Sequence, residues 1–253
     1  EGHDIVALSV GAAEDHLAAF FSSNQVGVFP MANIDILKED VDNFTYLGQG
    51  FHASAITGLD VCIRKPLVAT CGADRWVRIW NYLDRSCEVS RAFPDDPTSL
   101  ALHPSGFHLL IGFSDKLRMY NVLVDDLRQS TELPLKSCKE VRFSNGGHLF
   151  AAAHMSNVVI YSTNTAEKVG VLISHTALVR SVAWSRDDLR VATAGIDGAV
   201  YEWSLQDYSR KEEHVTRNVH YAAVIYRRSG AAVVAAGDDR RVAEFAHGQL
   251  ARE

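Results

Sequence analysis

The feature that most restricts this chain is a unit that recurs about every 42 residues. Three strings align without gaps. Leu67-Val-Ala-Thr-Cys-Gly-Ala-Asp74 runs into Arg-Trp-Val-Arg-Ile-Trp80, Arg190-Val-Ala-Thr-Ala-Gly-Ile-Asp197 into Gly-Ala-Val-Tyr-Glu-Trp203, and Ala232-Val-Val-Ala-Ala-Gly-Asp-Asp239 into Arg-Arg-Val-Ala-Glu-Phe245. Each reads as a strand of small apolar residues, an acidic turn, and an alternating strand that closes on an aromatic. Weaker copies run from His108 to Tyr120 and from His148 to Tyr161, with a degenerate one from His16 to Phe29. The closing aromatics stand at 29, 80, 120, 161, 203 and 245, so the intervals are 51, 40, 41, 42 and 42. Six such units occupy nearly the whole chain and leave no room for a second domain.

Within a unit the alternation gives four short strands. For the fifth they are Val179–Ser185, Arg190–Ala194, Ala199–Leu205 and roughly Ser209–Val215, joined by turns such as Ser185–Asp188 and Asp197–Gly198. Four short strands per repeat of this length, with no helical periodicity anywhere, predict an all-β chain of propeller blades. The blades fall at about 1–50, 51–94, 95–134, 135–174, 175–215 and 216–253 of a single β-propeller.

Composition then removes whole classes of function. Lys and Arg total 25 against 31 Asp and Glu, a net charge of −6. A protein built to hold a phosphate backbone needs the opposite surplus, so nucleic acid is not expected as a partner. No apolar run approaches the roughly 18 residues of a membrane-spanning helix, and no membrane partner is expected. The four cysteines, Cys62, Cys71, Cys87 and Cys138, form no C-x-x-C pair and suit a reducing compartment. Motifs for a serine nucleophile elbow, a phosphate-binding loop or a zinc protease are missing from the sequence. Gly48-Gln-Gly50-Phe-His-Ala53 imitates a dinucleotide fingerprint, but a strand rather than a helix follows it. No catalytic residue, metal ligand, cofactor or small-molecule substrate is therefore expected.

The units resemble WD repeats. That family's pattern places a His between blades, a Ser or Thr in the second strand, an Asp in the next turn and a Trp in the third strand. His52, Thr70, Asp74 and Trp80 match it, as do His175, Thr193, Asp197 and Trp203, with the hydroxyl ten residues and the Asp six residues before each Trp. An indole N–H needs an acceptor, a hydroxyl can accept and donate, and an imidazole can pass the chain on to a carboxylate. Such a chain satisfies buried polar groups and fixes how strands meet, which is a structural role rather than a catalytic relay. Tyr120, Tyr161 and Phe245 replace the Trp in the other repeats and should keep the packing without the full network.

Longer strings carry a closer resemblance. Ala55–Cys71, Leu102–Gly106, Gly112–Arg118, Asp125–Arg128, Ser144–Ala151 and Thr193–Trp203 together are similar to the cilia- and flagella-associated protein 57 family of WD-repeat proteins. The resemblance implies the second of two propellers that precede a coiled coil, in a protein of the axoneme. It further implies a scaffold that anchors or assembles inner-arm dyneins on doublet microtubules. Partners would be dynein subunits or their docking factors, tubulin, or a related WD-repeat protein. Propellers of this kind have seven blades, and the chain stops at Gln249–Glu253, where a fourth strand should begin, so a missing strand or blade is expected beyond it.

Two regions are candidates for partner contact. The long first interval adds residues around Met31–Gly50 that carry Asp35, Glu39, Asp40 and Asp42, an acidic loop on a rigid support. Turns between second and third strands carry Arg75 and Trp76, Lys116, and Arg240 with Arg241; Trp and Arg dominate interface hot spots. The competing reading is a soluble adaptor that presents substrates to a ubiquitin ligase. Receptors of that kind carry Trp-Asp followed two places later by Arg or Lys, whereas Trp80-Asn-Tyr leads to Leu83 and Trp203-Ser-Leu to Gln206.

Overall fold

A computed structural model of the 253-residue chain describes residues 4–13, 15–22, 25–31, 45–46, 51–230, 232–246 and 249–252. They contain strands and turns, and no α-helix. Every strand belongs to one of six four-stranded antiparallel sheets, each built from strands consecutive in sequence. The chain forms two compact units, Glu1–Ile56 and Thr57–Glu253.

The first unit holds one sheet of strands Ile5–Val10, His16–Phe21, Val26–Pro30 and Thr45–Tyr46. Ala19, Phe21 and Phe29 are its buried hydrophobic residues among those described. Asp35, Glu39, Asp40 and Asp42 lie outside the described residues.

The second unit holds the other five sheets. Their first strands, Ile56–Val61, Ser99–Leu102, Cys138–Phe143, Val179–Trp184 and Tyr221–Tyr226, form the inner side, where those of the third to sixth sheets lie against one another in turn. The fourth strands are the polar outer ones, as in Arg210–Val215, which alternates charged residues with buried His214. Period-two alternation explains the stacking. In the third sheet Leu109 and Ile111 point into a core shared with Val77 and Ile79 of the second. Their neighbour Leu110 faces the other way, onto Val141 and Phe150 of the fourth. In the fifth sheet Val191 faces Ile160 of the fourth, while Ala192 faces Val224 and Phe245 of the sixth. Second strands made of Ala, Cys, Thr and Gly are thus buried on both faces and let sheets approach closely.

The fifth sheet runs Val179–Trp184, Arg190–Gly195, Ala199–Ser204 and Arg210–Val215, within a residue of the expected bounds. One expectation is corrected: the sixth sheet does have its fourth strand, Gln249–Arg252, paired with Val242–Ala246. A feature the repeat pattern does not reveal is a register shift at the closing aromatic of each of these five sheets. The ladder between third and fourth strands slips between Ile79 and Trp80, Met119 and Tyr120, Ile160 and Tyr161, Glu202 and Trp203, and Glu244 and Phe245. Such a bulge adds local twist and turns the large ring where a flat strand would not.

Candidate functional site

In the fifth sheet the four expected residues come together as one directed chain. Trp203 Nε1–H donates to Thr193 Oγ1 at 3.0 Å. Thr193 Oγ1 lies 2.8 Å from His175 Nε2, and His175 Nδ1 lies 3.0 Å from Asp197 Oδ2. A carboxylate facing Nδ1 assigns the proton to that nitrogen, so Nε2 is left to accept from the Thr hydroxyl. Every proton then has one acceptor. Asp197 also accepts from the backbone N–H groups of Thr176 and Ala199, at 2.9 and 3.2 Å. Burial pushes the His175 pKa down, against the pull of Asp197. For Asp197, burial favours the neutral acid, but the hydrogen bond from His175 and those from the backbone prevail and hold its carboxyl below the usual range. The ground state is therefore a neutral imidazole beside a carboxylate. The turn that presents Asp197 depends on Gly198, whose φ is +75° and whose missing Cβ would sit 2.2 Å from the Thr216 carbonyl oxygen.

The second sheet has the same indole–hydroxyl bond, Trp80 Nε1 to Thr70 Oγ1 at 2.8 Å. Its Asp74 accepts from the Trp76 backbone N–H at 3.2 Å and from Arg78 Nη1 at 3.3 Å. His52 belongs to the other compact unit and is half-buried. Register identifies the position equivalent to Thr70 and Thr193 in the remaining sheets of this unit, two residues past the aromatic's partner: Ile111, Ala152 and Ala235. The hydroxyl stands only where there is an indole to use it. Elsewhere the aromatics pack on rings: Tyr120 on Phe93, Tyr161 on Phe150 and Phe245 on His214, with centroids 5.4, 5.2 and 4.3 Å apart.

A second polar assembly ties the inner strands together, and the repeat pattern does not announce it. Asp60 of the second sheet accepts from the Leu102 backbone N–H of the third and from Arg142 Nη1 of the fourth, both at 2.8 Å. The Arg142 carbonyl in turn accepts from Trp184 Nε1 of the fifth at 3.2 Å. Four consecutive sheets are thus clasped at one level. Glu140 shares the Arg142 guanidinium at 3.3 Å, and burial raises its pKa to about 7. The readable sign of this clasp was the placing of Asp60, Glu140 and Arg142 in inner strands whose other positions are mostly apolar or small.

The expected contact residues lie on the turns between second and third strands, at the end of the strands opposite to the first-to-second turns. Arg75 is exposed, and its Nε donates to Asp96 at 2.8 Å. Trp76 is half-buried with the Arg78 guanidinium 5.1 Å from its ring centroid. Lys116 is engaged by Glu132 at 3.3 Å and Asp115 at 3.5 Å. Arg240 and Arg241 are exposed, and the Arg241 backbone N–H donates to Asp239 at 3.1 Å. Arg75 and Arg240 have φ of +65° and +64°, the left-handed conformation that Gly198 adopts in the fifth sheet. Holding a side chain there costs about 1–2 kcal/mol.

Among the described residues no group of three or more His, Cys, Asp or Glu is placed to hold a metal. The four thiols are free, and burial raises Cys71 to about 11 and Cys138 to about 12.

Comparison with known proteins agrees with this architecture. The family model described as WD domain, G-beta repeat, matches residues 46–81 and 166–204, the two stretches that carry Trp80 and Trp203. Cilia- and flagella-associated protein 57 of Mus musculus is 40% identical over 99% of the chain, which covers 20% of that protein. Cilia- and flagella-associated protein 57 A of Tetrahymena thermophila is 37% identical over 84% of the chain, covering 17% of its own length. The 77 kDa echinoderm microtubule-associated protein of Lytechinus variegatus is 27% identical over 68% of the chain and 27% of its own. The chain thus spans about a fifth of the length of these cilia- and flagella-associated relatives. Over its own length, with its blades, its paired indole–hydroxyl contacts and these relatives, it belongs to the cilia- and flagella-associated protein 57 family of WD-repeat proteins.

Proposed function

We propose that this chain is a propeller segment of a longer, non-enzymatic scaffold of the ciliary or flagellar axoneme. It helps to anchor or assemble inner-arm dyneins on doublet microtubules through contacts of its turns. The ciliary and microtubule-associated names of its relatives support the setting. The observation that carries the role is the placing of Arg75 beside Trp76 and of Arg240 beside Arg241 on tips whose backbone takes the left-handed form that the fifth sheet gives to Gly198 and the fourth to Met155. Loops held on a rigid support are where binding residues gather. Arg75 and the adjacent Trp76 are the anchor of this surface, with Lys116 and Arg241 flanking it and Asp35, Glu39, Asp40 and Asp42 as a separate acidic contact. The residues of the buried network serve structure, and the partners are dynein subunits or docking factors, tubulin, or a related WD-repeat protein.

Fractionation of ciliated cells tests the setting: the protein should stay with axonemes and leave only on salt extraction. Recovery solely in the soluble fraction overturns it. Trp76→Ala tests the surface. It should reduce capture of axonemal partners while the melting temperature stays within a few degrees; a parallel fall in both makes Trp76 a packing residue.

A further inference from the structure

The first-to-second-strand turns lie at the opposite end of the strands from Arg75 and Trp76, and they frame an open cleft. Two adjoining cavities of about 510 and 370 Å³ share Asn145, Trp184 and Tyr226. The floor is apolar and bare: Leu59, Val61, Ile63 and Ile225 are each about half or more exposed. Such a patch inside a concave surface is unusual on a protein with nothing to cover it.

The rim carries the opposite character. Arg186, Arg227 and Arg228 line the mouth, and exposed Arg64 follows the lining residue Ile63. Arg64, Arg186 and Arg228 have no ion-pair partner among the described residues, whereas Arg227 is paired with Glu244. The two carboxylates on this rim are already engaged, Asp187 within its own turn and Asp188 by the neighbouring turn of the fourth sheet. Asp187 accepts from Ser185 Oγ at 2.6 Å and the Leu189 N–H at 3.1 Å. Asp188 accepts from the N–H groups of Asn145 and Gly146 at 2.8 and 2.6 Å. Deeper in, Asp60 and Glu140 are held by Arg142, which keeps 43% of its own side chain exposed. On a chain of net charge −6, a mouth of unpaired arginines over an apolar floor is a local reversal of sign.

From this arrangement we infer that the cleft binds an extended acidic protein segment whose carboxylates meet Arg64, Arg186 and Arg228 while an apolar side chain enters beside Trp184. A nucleic acid offers phosphates for the rim but no aliphatic group for the floor. The inference stands apart from the axonemal reading, because it concerns the other end of the strands and needs no ciliary partner.

The test is fluorescence anisotropy on the intact protein with a short labelled peptide alternating Glu and Leu. Comparison probes are the Gln-for-Glu peptide, a Glu-Gly peptide and a single-stranded oligonucleotide of equal length. The Glu-Leu peptide should bind best and weaken as salt rises. The double variant Arg186→Glu/Arg228→Glu should lower its affinity by about tenfold or more. Arg217→Glu, an exposed control on the opposite turns, should leave it unchanged, and melting curves of all variants should match the parent. Equal binding of the Gln peptide, preference for the oligonucleotide, equal loss with Arg217→Glu, or no binding at all overturns the inference. Since no axonemal component enters the assay, its outcome leaves the function proposed above to its own test.

Discussion

Replacing Thr193 by Val keeps the shape of a residue that is fully buried and deletes only its hydroxyl. Two groups lose their partner at once. The Trp203 indole N–H, on a side chain 3% exposed, loses its acceptor, and His175 Nε2, on a residue 7% exposed, loses its donor. An orphaned buried polar group costs about 1–3 kcal/mol, so the pair predicts a loss of about 2–6 kcal/mol. At 2–4 °C per kcal/mol for a domain of this size, that is a fall of roughly 4–24 °C in melting temperature. The same change at Thr70 should cost less, because Trp80 is half-buried where Trp203 is buried. Near-ultraviolet circular dichroism follows the tertiary signal, and heating both variants beside the parent gives the two shifts. The double variant Thr193→Ala/Trp203→Phe copies the Ala235 and Phe245 pair of the sixth sheet. It should lose less than the sum of its single changes, by about 1–2 kcal/mol, since the second replacement removes the donor that the first one strands. A Thr193→Val shift no larger than that of Thr70→Val, or strict additivity in the double variant, would refute the reasoning.

Acidification should act on that network and on two histidines outside it. Burial lowers the pKa of His175, His103 and His214, so the unfolded chain takes up protons first. Their contribution to stability is whole above about pH 6.5 and shrinks as pH falls below it, which melting curves between neutral and mildly acidic pH will register. Glu140 has the opposite sign: its raised pKa of about 7 means folding favours the protonated acid, so Glu140→Gln should raise the melting temperature above neutrality and change little in acid. Gly198→Ala forces a Cβ into left-handed backbone and against the Thr216 carbonyl; a loss of about 2 kcal/mol or more is expected in thermal melts. Arg75→Gly removes a comparable strain but also an exposed ion pair, so its stability should stay within about 1 kcal/mol of the parent by the same melts.

The repeat, the strand count per unit and the tetrad of the fifth sheet were legible because each has a local signature: small residues, an acidic turn and an aromatic at fixed offsets. Thr193, Asp197 and Trp203 lie within a span of eleven residues, and His175 begins the same unit. The final strand at Gln249–Arg252 was not legible, since four residues past a turn carry too little alternation to distinguish strand from coil. The Asp60 clasp was hidden for a different reason. Asp60 and Arg142 are separated by 82 residues and meet only because the third sheet brings its inner strand between them. A charged residue in an inner strand is visible in sequence; its partner two repeats away is not. The same holds for the rim arginines, which come from three separate turns and gain meaning only when those turns surround one cleft.

The two polar assemblies divide the labour of holding the sheets. The Thr193 network is confined to one repeat and sets the position of the Asp197 turn, so damage to it should stay within the fifth sheet and its immediate contacts. The clasp runs through Asp60, Leu102, Arg142 and Trp184 and therefore fixes neighbouring sheets relative to one another at their inner edge. With spacing fixed from inside and turn geometry fixed within each repeat, the turn positions that take no part in these bonds are released from folding duty. That freedom explains why one end can carry left-handed Arg75 and Arg240, and the other the exposed Arg64, Arg186 and Arg228, on a framework whose second strands are buried. A scaffold that must present different chemistry at two ends needs this separation, because a surface that also held the sheets apart could not vary without altering their spacing.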